Sequence, residues 1–213
     1  MGSEMCIRDS SDPVRKFTNR CIDRNIFPNF IVSTDLTQHI NNEDIKSDFL
    51  KVKEKDKGVN ITNALGWHSL VRNEDPDSPH LSEAITLTKE FVNEFLKEEG
   101  TNLHVNVLDY WLMENGAGAF NVVHNHGKVD LIGVYYIEVP PTSEGMTLLR
   151  TDAFTHTALC NPTVPARYQN SFTIDAIVGR VYIMPGHLYH YVKPFDGEGD
   201  RRSLIFNITC SLN

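Results

Sequence analysis

The sequence lacks the features that mark membrane proteins and several common enzyme classes. No run of 18 apolar residues occurs, so no membrane-spanning helix is predicted, and no apolar stretch near the N-terminus resembles a secretory signal. Neither a Walker A loop nor a GxGxxG motif after a strand is present, which leaves nucleotide and dinucleotide binding without support. A G-x-S-x-G elbow is also missing, so a serine-hydrolase triad is not indicated.

Cysteine and basic residues are both scarce. The four cysteines form no CxxC pair, which disfavours a zinc knuckle and fits free thiols in a reducing compartment. With 20 Lys and Arg against 28 Asp and Glu, the net charge is −8, and a general nucleic-acid binder usually has a basic face instead. We therefore expect a cytoplasmic protein for which nucleic acid is a disfavoured partner.

The length and the hydrophobic content are sufficient for one domain with its own core. The chain has 213 residues, of which 40% are hydrophobic. Residues 1–10 are predicted to be a non-native leader, because residues 4–10 resemble a translated sequencing adapter. We predict a single domain over residues 11–213, with a helical part over about 27–100 and a β-rich core over about 101–213.

Two amphipathic helices are predicted before residue 100. The first opens at Asn42 and runs to about Lys55, with acidic residues in its first turn and lysines at its end. Ser78 and Pro79 have the residue types of an N-cap and a first helical position, and the second helix runs to about Glu99. Apolar residues recur in it at helical spacing, so this helix should pack against a flat surface.

From residue 103 onward, short β-branched and aromatic runs alternate with turn residues, which is typical of strands. The predicted strands lie near 103–113, 120–125, 131–139, 146–151, 170–176, 179–184, 188–193 and 202–210. Helical spacers between them are missing, so a parallel βαβ arrangement is disfavoured. The pattern favours an antiparallel sandwich or jelly roll.

Three histidines form a candidate metal site. His124 and His126 are two residues apart, so on an extended segment their side chains point the same way, and His190 arrives on a later strand. Neutral imidazoles suit Fe(II), Zn(II), Cu or Ni. Two alternatives remain open: Asp130 could supply a carboxylate ligand, or the histidines could be strand residues with satisfied hydrogen bonds. His187 is expected to face away from the site.

Arg201 and Ser203 form a candidate anion-binding wall. They share one face of a predicted strand, where a guanidinium can bind a carboxylate with two hydrogen bonds and a hydroxyl can donate a third. Arg202 faces the other way and becomes the candidate if the register slips by one residue. The alternative for Arg201 is a solvated charge after the 197–200 turn.

Taken together, these motifs resemble the Fe(II)/2-oxoglutarate-dependent oxygenase superfamily over about residues 27–213. More closely, the chain is similar to an oxygenase family found in bacteria, marine phages and environmental samples. The segments that carry the resemblance are Gly66-Trp67-His68-Ser69, His124-Asn125-His126, Gly133-Val134-Tyr135-Tyr136, Pro185-Gly186-His187-Leu188-Tyr189-His190 and Arg201-Arg202-Ser203-Leu204-Ile205-Phe206-Asn207.

The resemblance implies a double-stranded β-helix, that is, a jelly roll with helices packed on one sheet. It implies Fe(II) and 2-oxoglutarate as cofactors, with His124 as the first iron ligand and His190 as the last. Arg201 and Ser203 would hold a carboxylate of 2-oxoglutarate, assisted by Tyr135 or Tyr136.

The chain departs from the superfamily at His126, where H-x-D or H-x-E is usual. His126 can be a third ligand, Asp130 can replace it, or an anion or water can complete a site that has two protein ligands. We favour His126, because its spacing fits and the similar family also shows H-x-H.

The activity implied is hydroxylation of a small-molecule or peptide substrate by O₂, with release of succinate and CO₂. The location would be the host cytoplasm if the gene is carried by a phage. The competing functions are a non-catalytic jelly-roll binding or structural module and a cupin-like three-histidine dioxygenase that does not use 2-oxoglutarate. The segment 152–169 is either a substrate loop or a simple connector. The oligomeric state stays open, and a homodimer is compatible with the sequence.

Overall fold

The structure is a computed structural model that describes residues 29–73, 77–149 and 171–212. Contacts divide the chain into two units, Met1–Phe30 and Ile31–Asn213, and every helix and strand described below lies in the second unit. The predicted leader at residues 1–10 and the candidate loop at 152–169 lie outside the described residues, as do three of the four cysteines. The fourth, Cys210, is a free thiol.

Both predicted helices are present, as α1 (Asn42–Lys55) and α2 (Pro79–Glu98). Pro79 occupies the first turn of α2 as predicted, but the Ser78 side chain makes no capping hydrogen bond. The fully buried carboxylate of Asp48, on α1, accepts instead from the backbone N–H of His80 at 2.9 Å. The N-terminus of α2 is therefore capped by the neighbouring helix, which satisfies an otherwise unpaired donor and ties the two helices together.

The described residues also contain strands at all eight predicted places and three that were not predicted. Val32–Asp35, Asn63–Ala64 and Trp67–His68 were missed, because each is short and lies before residue 103, outside the region where strand-like runs follow one another. The strands are β1 (Val32–Asp35), β2 (Asn63–Ala64), β3 (Trp67–His68), β4 (Leu103–Asn115), β5 (Phe120–His124), β6 (Leu131–Glu138), β7 (Met146–Leu149), β8 (Ser171–Thr173), β9 (Arg180–Pro185), β10 (His190–Val192) and β11 (Arg201–Leu212).

The strands form two antiparallel sheets, and the parallel alternative is thereby excluded. One sheet has the order β1-β9-β6-β11-β4-β3 and the other has the order β2-β5-β10-β7-β8. On the six-stranded sheet, α2 packs against β4 and α1 contacts β6. No helix in the described part of the chain is both long enough and apolar enough to cross a membrane.

The last strand, β11, lies in the middle of the six-stranded sheet, between β4 and β6. Its alternation is the predicted one: Leu204, Phe206 and Ile208 are fully buried on one face. The other face carries Arg201 and Ser203, which are also buried and line a pocket. Because β11 has a paired strand on each side, the positions of the pocket residues that it carries are well fixed.

The alternative register, with Arg202 in the pocket, is wrong. Arg202 donates from Nε to Glu114 at 2.7 Å and from Nη2 to Asp200 at 2.6 Å, and from Nη1 to Glu138. Burial, the largest single effect, lowers the pKa of Arg202, but the hydrogen bonds and charges of Glu114 and Glu138 together outweigh it and raise the pKa. Arg202 is therefore a member of an ionic network on the opposite face of β11 from the pocket.

Candidate metal centre and co-substrate pocket

Three histidine side chains converge in a pocket between the two sheets. His124 at the end of β5 lies directly opposite His190 on β10 in the antiparallel register. His126 follows β5, and the candidate ligand nitrogens of all three lie within 4.8 Å of one another. The ring centroids are 4.3 to 5.3 Å apart. One metal ion placed between the rings would therefore be within reach of all three.

A β-bulge in β5 aims His124 into this pocket. The register pairs His190 with His124 but Val192 with Asn121, so β5 has one residue more than β10 over this stretch. Asn121 and His124, three residues apart, consequently both line the pocket, whereas Val122 and Val123 are both about half exposed. Simple alternation along β5 does not predict this, and bulges that redirect a side chain are common beside active sites.

The hydrogen bonds of the three rings leave one nitrogen of each free for a metal. His124 and His190 each donate from Nδ1 to the backbone carbonyl of the residue two positions earlier, at 2.7 and 2.9 Å. Nδ1 of His126 pairs with Oδ1 of Asn207 at 2.6 Å. Because these oxygens only accept, the proton lies on Nδ1 and the lone pair on Nε2, as in most histidine metal ligands.

Burial keeps the three imidazoles neutral. Desolvation is the main cause that lowers the pKa of each, and it lowers the pKa of His190 to about 3, with a further contribution from His124. The hydrogen bond that His126 donates to Asn207 acts in the opposite direction and raises the pKa of His126. Neutral imidazole is the form that binds a metal, so at neutral pH the cluster can accept a divalent cation without first losing protons.

The low pKa of His190 predicts that the metal-free protein loses stability in acid. Its pKa is about 3 in the folded chain but about 6.5 in an unfolded one, so the unfolded state binds more protons between these values. The free energy of unfolding should therefore fall as the pH drops from about 6.5 toward about 3, by at most about 1.4 kcal/mol for each pH unit. Urea midpoints across this range measure the effect, and His190→Gln should flatten the profile.

The exposed His39 provides the control for this measurement. The His39→Gln and His190→Gln variants keep the same other acid-titrating groups, so a difference between their pH profiles reports the burial of His190. A His190→Gln profile that coincides with the wild-type profile would show that the folded chain accommodates a charged His190.

Arg201 brings a buried positive charge into the same pocket. It is only 4% exposed, and its Nη1 donates to Ser143 Oγ at 2.8 Å and to the backbone carbonyl of Glu144 at 3.0 Å. Its guanidinium carbon lies 5.6 Å from the ring centroid of Phe195. Burial lowers the pKa of Arg201, and in residues 29–73, 77–149 and 171–212 no carboxylate forms an ion pair with it. A buried charge without a counter-ion is costly, so this site suits an anionic ligand.

Ser203 and Tyr136 lie beside Arg201 and add neutral hydrogen-bond donors. Ser203 on β11 is directly opposite Tyr136 on β6, and both line the pocket. The Tyr136 hydroxyl accepts from the backbone N–H of Met146 at 3.1 Å. Burial raises the pKa of Tyr136 to about 12, so its hydroxyl keeps its proton at neutral pH. Arg201, Ser203 and Tyr136 can thus all donate to the same carboxylate.

Two predicted site residues are not brought into the pocket. Tyr135 faces the helices, where its hydroxyl donates to Oδ1 of Asn42 at 2.9 Å. Asp130 is exposed, and its Oδ2 accepts from the backbone N–H of Cys210 at 2.7 Å. Across the residues that the structure describes, the histidine cluster therefore includes no carboxylate, and the geometry favours His126 as the third ligand.

The comparisons with known proteins agree with this chemistry. Residues 109–207 match the model of a family described as "Putative 2OG-Fe(II) oxygenase", and this span contains the three histidines, Arg201 and Ser203. Over residues 109–207 the chain is similar to 2OG-Fe(II) oxygenases. This similarity indicates an oxidoreductase whose cofactors are Fe(II) and 2-oxoglutarate, and the three-histidine cluster fits iron binding. No curated protein matches the sequence.

Similar solved structures show that the chain has the predicted double-stranded β-helix. A Pseudomonas putida prolyl-4-hydroxylase superposes with a TM-score of 0.60 at 9% identity, over 84% of this chain and 91% of that chain. A viral collagen prolyl hydroxylase from Paramecium Bursaria Chlorella virus-1, in complex with 2-oxoglutarate, gives 0.54 at 12%, over 84% and 94%. HygX from Streptomyces hygroscopicus, with nickel and 2-oxoglutarate bound, gives 0.56 at 10%, over 84% and 82%.

Residues that were not predicted as part of the site also contact the histidine cluster. Trp111 on β4 stacks between His68 and His126, with centroid distances of 5.4 and 5.7 Å and interplanar angles of 8° and 22°. Asn207 bonds His126. The sequence did contain a signal for Asn207, since it shares the strand face of Arg201 and Ser203. Trp111 had no such signal, because its stacking contacts join separate strands.

Proposed function

We propose that this protein is a 2OG-Fe(II) oxygenase that hydroxylates a small-molecule or peptide substrate and releases succinate and CO₂. The observation that supports this most strongly is a single pocket with two kinds of binding group. Three Nε2 lone pairs converge on one side, and a buried guanidinium without a carboxylate partner among the described residues lies on the other. A metal ion would satisfy the three imidazoles, and a dicarboxylic acid bound to it would satisfy the guanidinium.

His124, His126 and His190 would hold the iron through Nε2. Fe(II) and 2-oxoglutarate, when bound, supply the oxygen activation and the oxidative decarboxylation that the hydroxylation requires. All three histidines are neutral, so the site is one charge unit more positive than a site with two histidines and a carboxylate. The Nδ1 hydrogen bonds keep the rings oriented, so their Nε2 lone pairs need little reorganisation to meet the ion.

Arg201, Ser203 and Tyr136 would hold the far carboxylate of 2-oxoglutarate. The guanidinium supplies charge-assisted hydrogen bonds, which are about twice as strong as neutral ones. The two hydroxyls supply neutral donors on neighbouring strands. Since Arg201 is already held by Ser143 and the carbonyl of Glu144, its side chain loses little freedom when the acid binds.

Apolar side chains enclose the space between the metal side and the Arg201 side. The lining there includes Trp111, Met113, Ile132, Val134, Met146 and Ile205. This lining limits the water around the bound acid, which strengthens the hydrogen bonds that Arg201 donates. The substrate would reach the metal from the side where Val122 and Val123 of β5 are exposed next to His124.

Succinate formation is the direct test of this function. Purified protein with Fe(II), 2-oxoglutarate and air should produce succinate, by slow uncoupled turnover alone and faster when a candidate substrate is added. Mass spectrometry quantifies the succinate, and an oxygen electrode measures O₂ consumption. An anaerobic sample and the His124→Ala variant are the controls. The proposal fails if wild type makes no more succinate than His124→Ala with any candidate and takes up no iron when loaded anaerobically.

A further inference from the structure

The ring of His126 is held by a side chain, whereas the rings of the other two histidines of the cluster are held by the main chain. His124 and His190 donate from Nδ1 to main-chain carbonyls of their own segments, so no side-chain substitution removes those bonds. Nδ1 of His126 lies 2.6 Å from Oδ1 of Asn207, a side chain on β11 of the other sheet. The orientation of this one histidine therefore depends on a residue that can be changed.

The backbone of His126 is anchored, but its ring needs further support. His126 lies beyond the end of β5, in a turn where its carbonyl accepts from Lys128 and Val129 at 2.6 and 3.0 Å. Its own N–H donates to the carbonyl of Gly186 at 2.9 Å. Trp111 stacks on the ring at a centroid distance of 5.7 Å and so restricts the ring plane. Stacking does not determine which ring nitrogen carries the proton.

We propose that Asn207 is a positioning residue that selects the metal-binding tautomer of His126 and so makes His126 the third ligand. The inference rests on the proposed metal site. It adds the residue that controls the ligand at position 126, where this chain departs from the oxygenase superfamily that it resembles. The amide oxygen accepts the Nδ1 proton and leaves the lone pair on Nε2. Without that acceptor, a neutral imidazole can carry its proton on Nε2, where it blocks metal binding.

The place of Asn207 in β11 makes it suited to this role. It lies between Asp109 of β4 and Ile132 of β6, so paired strands hold its backbone on both sides. It shares the strand face of Arg201 and Ser203. The same strand would thus orient a metal ligand with one residue and bind the co-substrate with two others, which couples the geometry of both parts of the site.

The first test is the tautomer of His126 in the metal-free protein. Two-dimensional ¹H–¹⁵N spectra of histidine-labelled protein distinguish Nδ1–H from Nε2–H. Wild type and Asn207→Asp should show Nδ1–H at His126, because a carboxylate also only accepts. Asn207→Leu should show a substantial Nε2–H population. Thr209→Val, two residues further along the same strand face, is the control and should match wild type.

The second test is the affinity for Co(II), titrated anaerobically and followed by its visible absorption. Asn207→Leu should bind Co(II) about 10- to 100-fold more weakly, the usual cost of losing such a supporting hydrogen bond. Asn207→Asp should bind as tightly as wild type or more tightly, and Thr209→Val should be unchanged. Thermal melts identify any variant that fails to fold.

Two results would overturn the inference. One is an unchanged His126 tautomer together with unchanged Co(II) affinity in Asn207→Leu. The other is equal weakening in Asn207→Asp and Asn207→Leu, since a pure acceptor would then not have preserved the contact. If wild type itself binds no Co(II), the proposed function fails, and the tautomer spectra still decide the role of Asn207.

Discussion

Replacing His124 or His190 by alanine is expected to reduce metal affinity by at least about 100-fold, more than the loss of a supporting residue costs. Each substitution removes one of three converging Nε2 ligands, and the described cluster contains no carboxylate that could replace it. Succinate formation should fall to the level of a metal-free sample. Metal content after anaerobic Fe(II) loading, measured by elemental analysis, checks the first effect, and the succinate assay checks the second.

His187→Ala is the matched control, since His187 lies three residues before His190 but is exposed outside the cluster. It should bind one iron per chain, as wild type should. Full metal content in His124→Ala or His190→Ala would contradict the proposed site and favour a binding or structural module in which the histidines are incidental.

His126 is the ligand position at which the sequence left three arrangements open: His126 itself, Asp130, or an anion or water. His126→Ala should weaken metal binding less than His124→Ala. His126 lies beyond the end of β5, so its ring is held by Asn207 and Trp111 and not by strand pairing. His126→Asp restores the usual superfamily pattern and should retain iron. If His126→Ala binds iron as tightly as wild type, an anion or water completes the coordination instead.

Replacing Arg201 by methionine is expected to raise the KM for 2-oxoglutarate by about 100-fold or more, because each hydrogen bond to a charged group contributes about 1.5 to 3 kcal/mol. Methionine has a similar length and fits the apolar surroundings beside Phe195, so the loss should come from the missing charge. Iron content should stay at one per chain. Steady-state succinate formation at increasing concentrations of 2-oxoglutarate provides the measurement.

Arg202→Met is the matched control for Arg201→Met. It removes a guanidinium from the opposite face of the same strand, where Glu114, Glu138 and Asp200 surround it. This variant should lower the stability in urea and leave the KM for 2-oxoglutarate unchanged. If Arg201→Met retains both its KM and its turnover, the chain would instead act as a three-histidine dioxygenase that does not bind 2-oxoglutarate at this wall.

The spacing of apolar residues along the chain was sufficient to predict much of the fold. The eight strands after residue 103 and both helices are present, because local patterns of apolar residues determine them. The same alternation correctly separated Arg201 and Ser203 from Arg202, and the buried sides of β11 follow it. The predicted strands near 120–125 and 188–193 also contain two of the three candidate metal ligands, His124 and His190, and the structure shows that these two strands are neighbours.

The remaining features depend on contacts between distant segments. The bond between His126 and Asn207 joins residues 81 positions apart, and the cap that Asp48 provides to α2 spans 32 positions. Neither follows from local composition, since each requires two elements to be packed first. The bulge in β5 is similar, because no glycine marks it in the sequence and only the pairing with β10 reveals it.

The most direct measurement of the proposed site is a crystal structure of the protein prepared with Fe(II) and 2-oxoglutarate in the absence of oxygen. The iron should be bound by Nε2 of His124, His126 and His190, and the far carboxylate of 2-oxoglutarate should accept from Arg201 and Ser203. Iron bound by only two of these histidines, or 2-oxoglutarate bound away from Arg201, would contradict the proposed site.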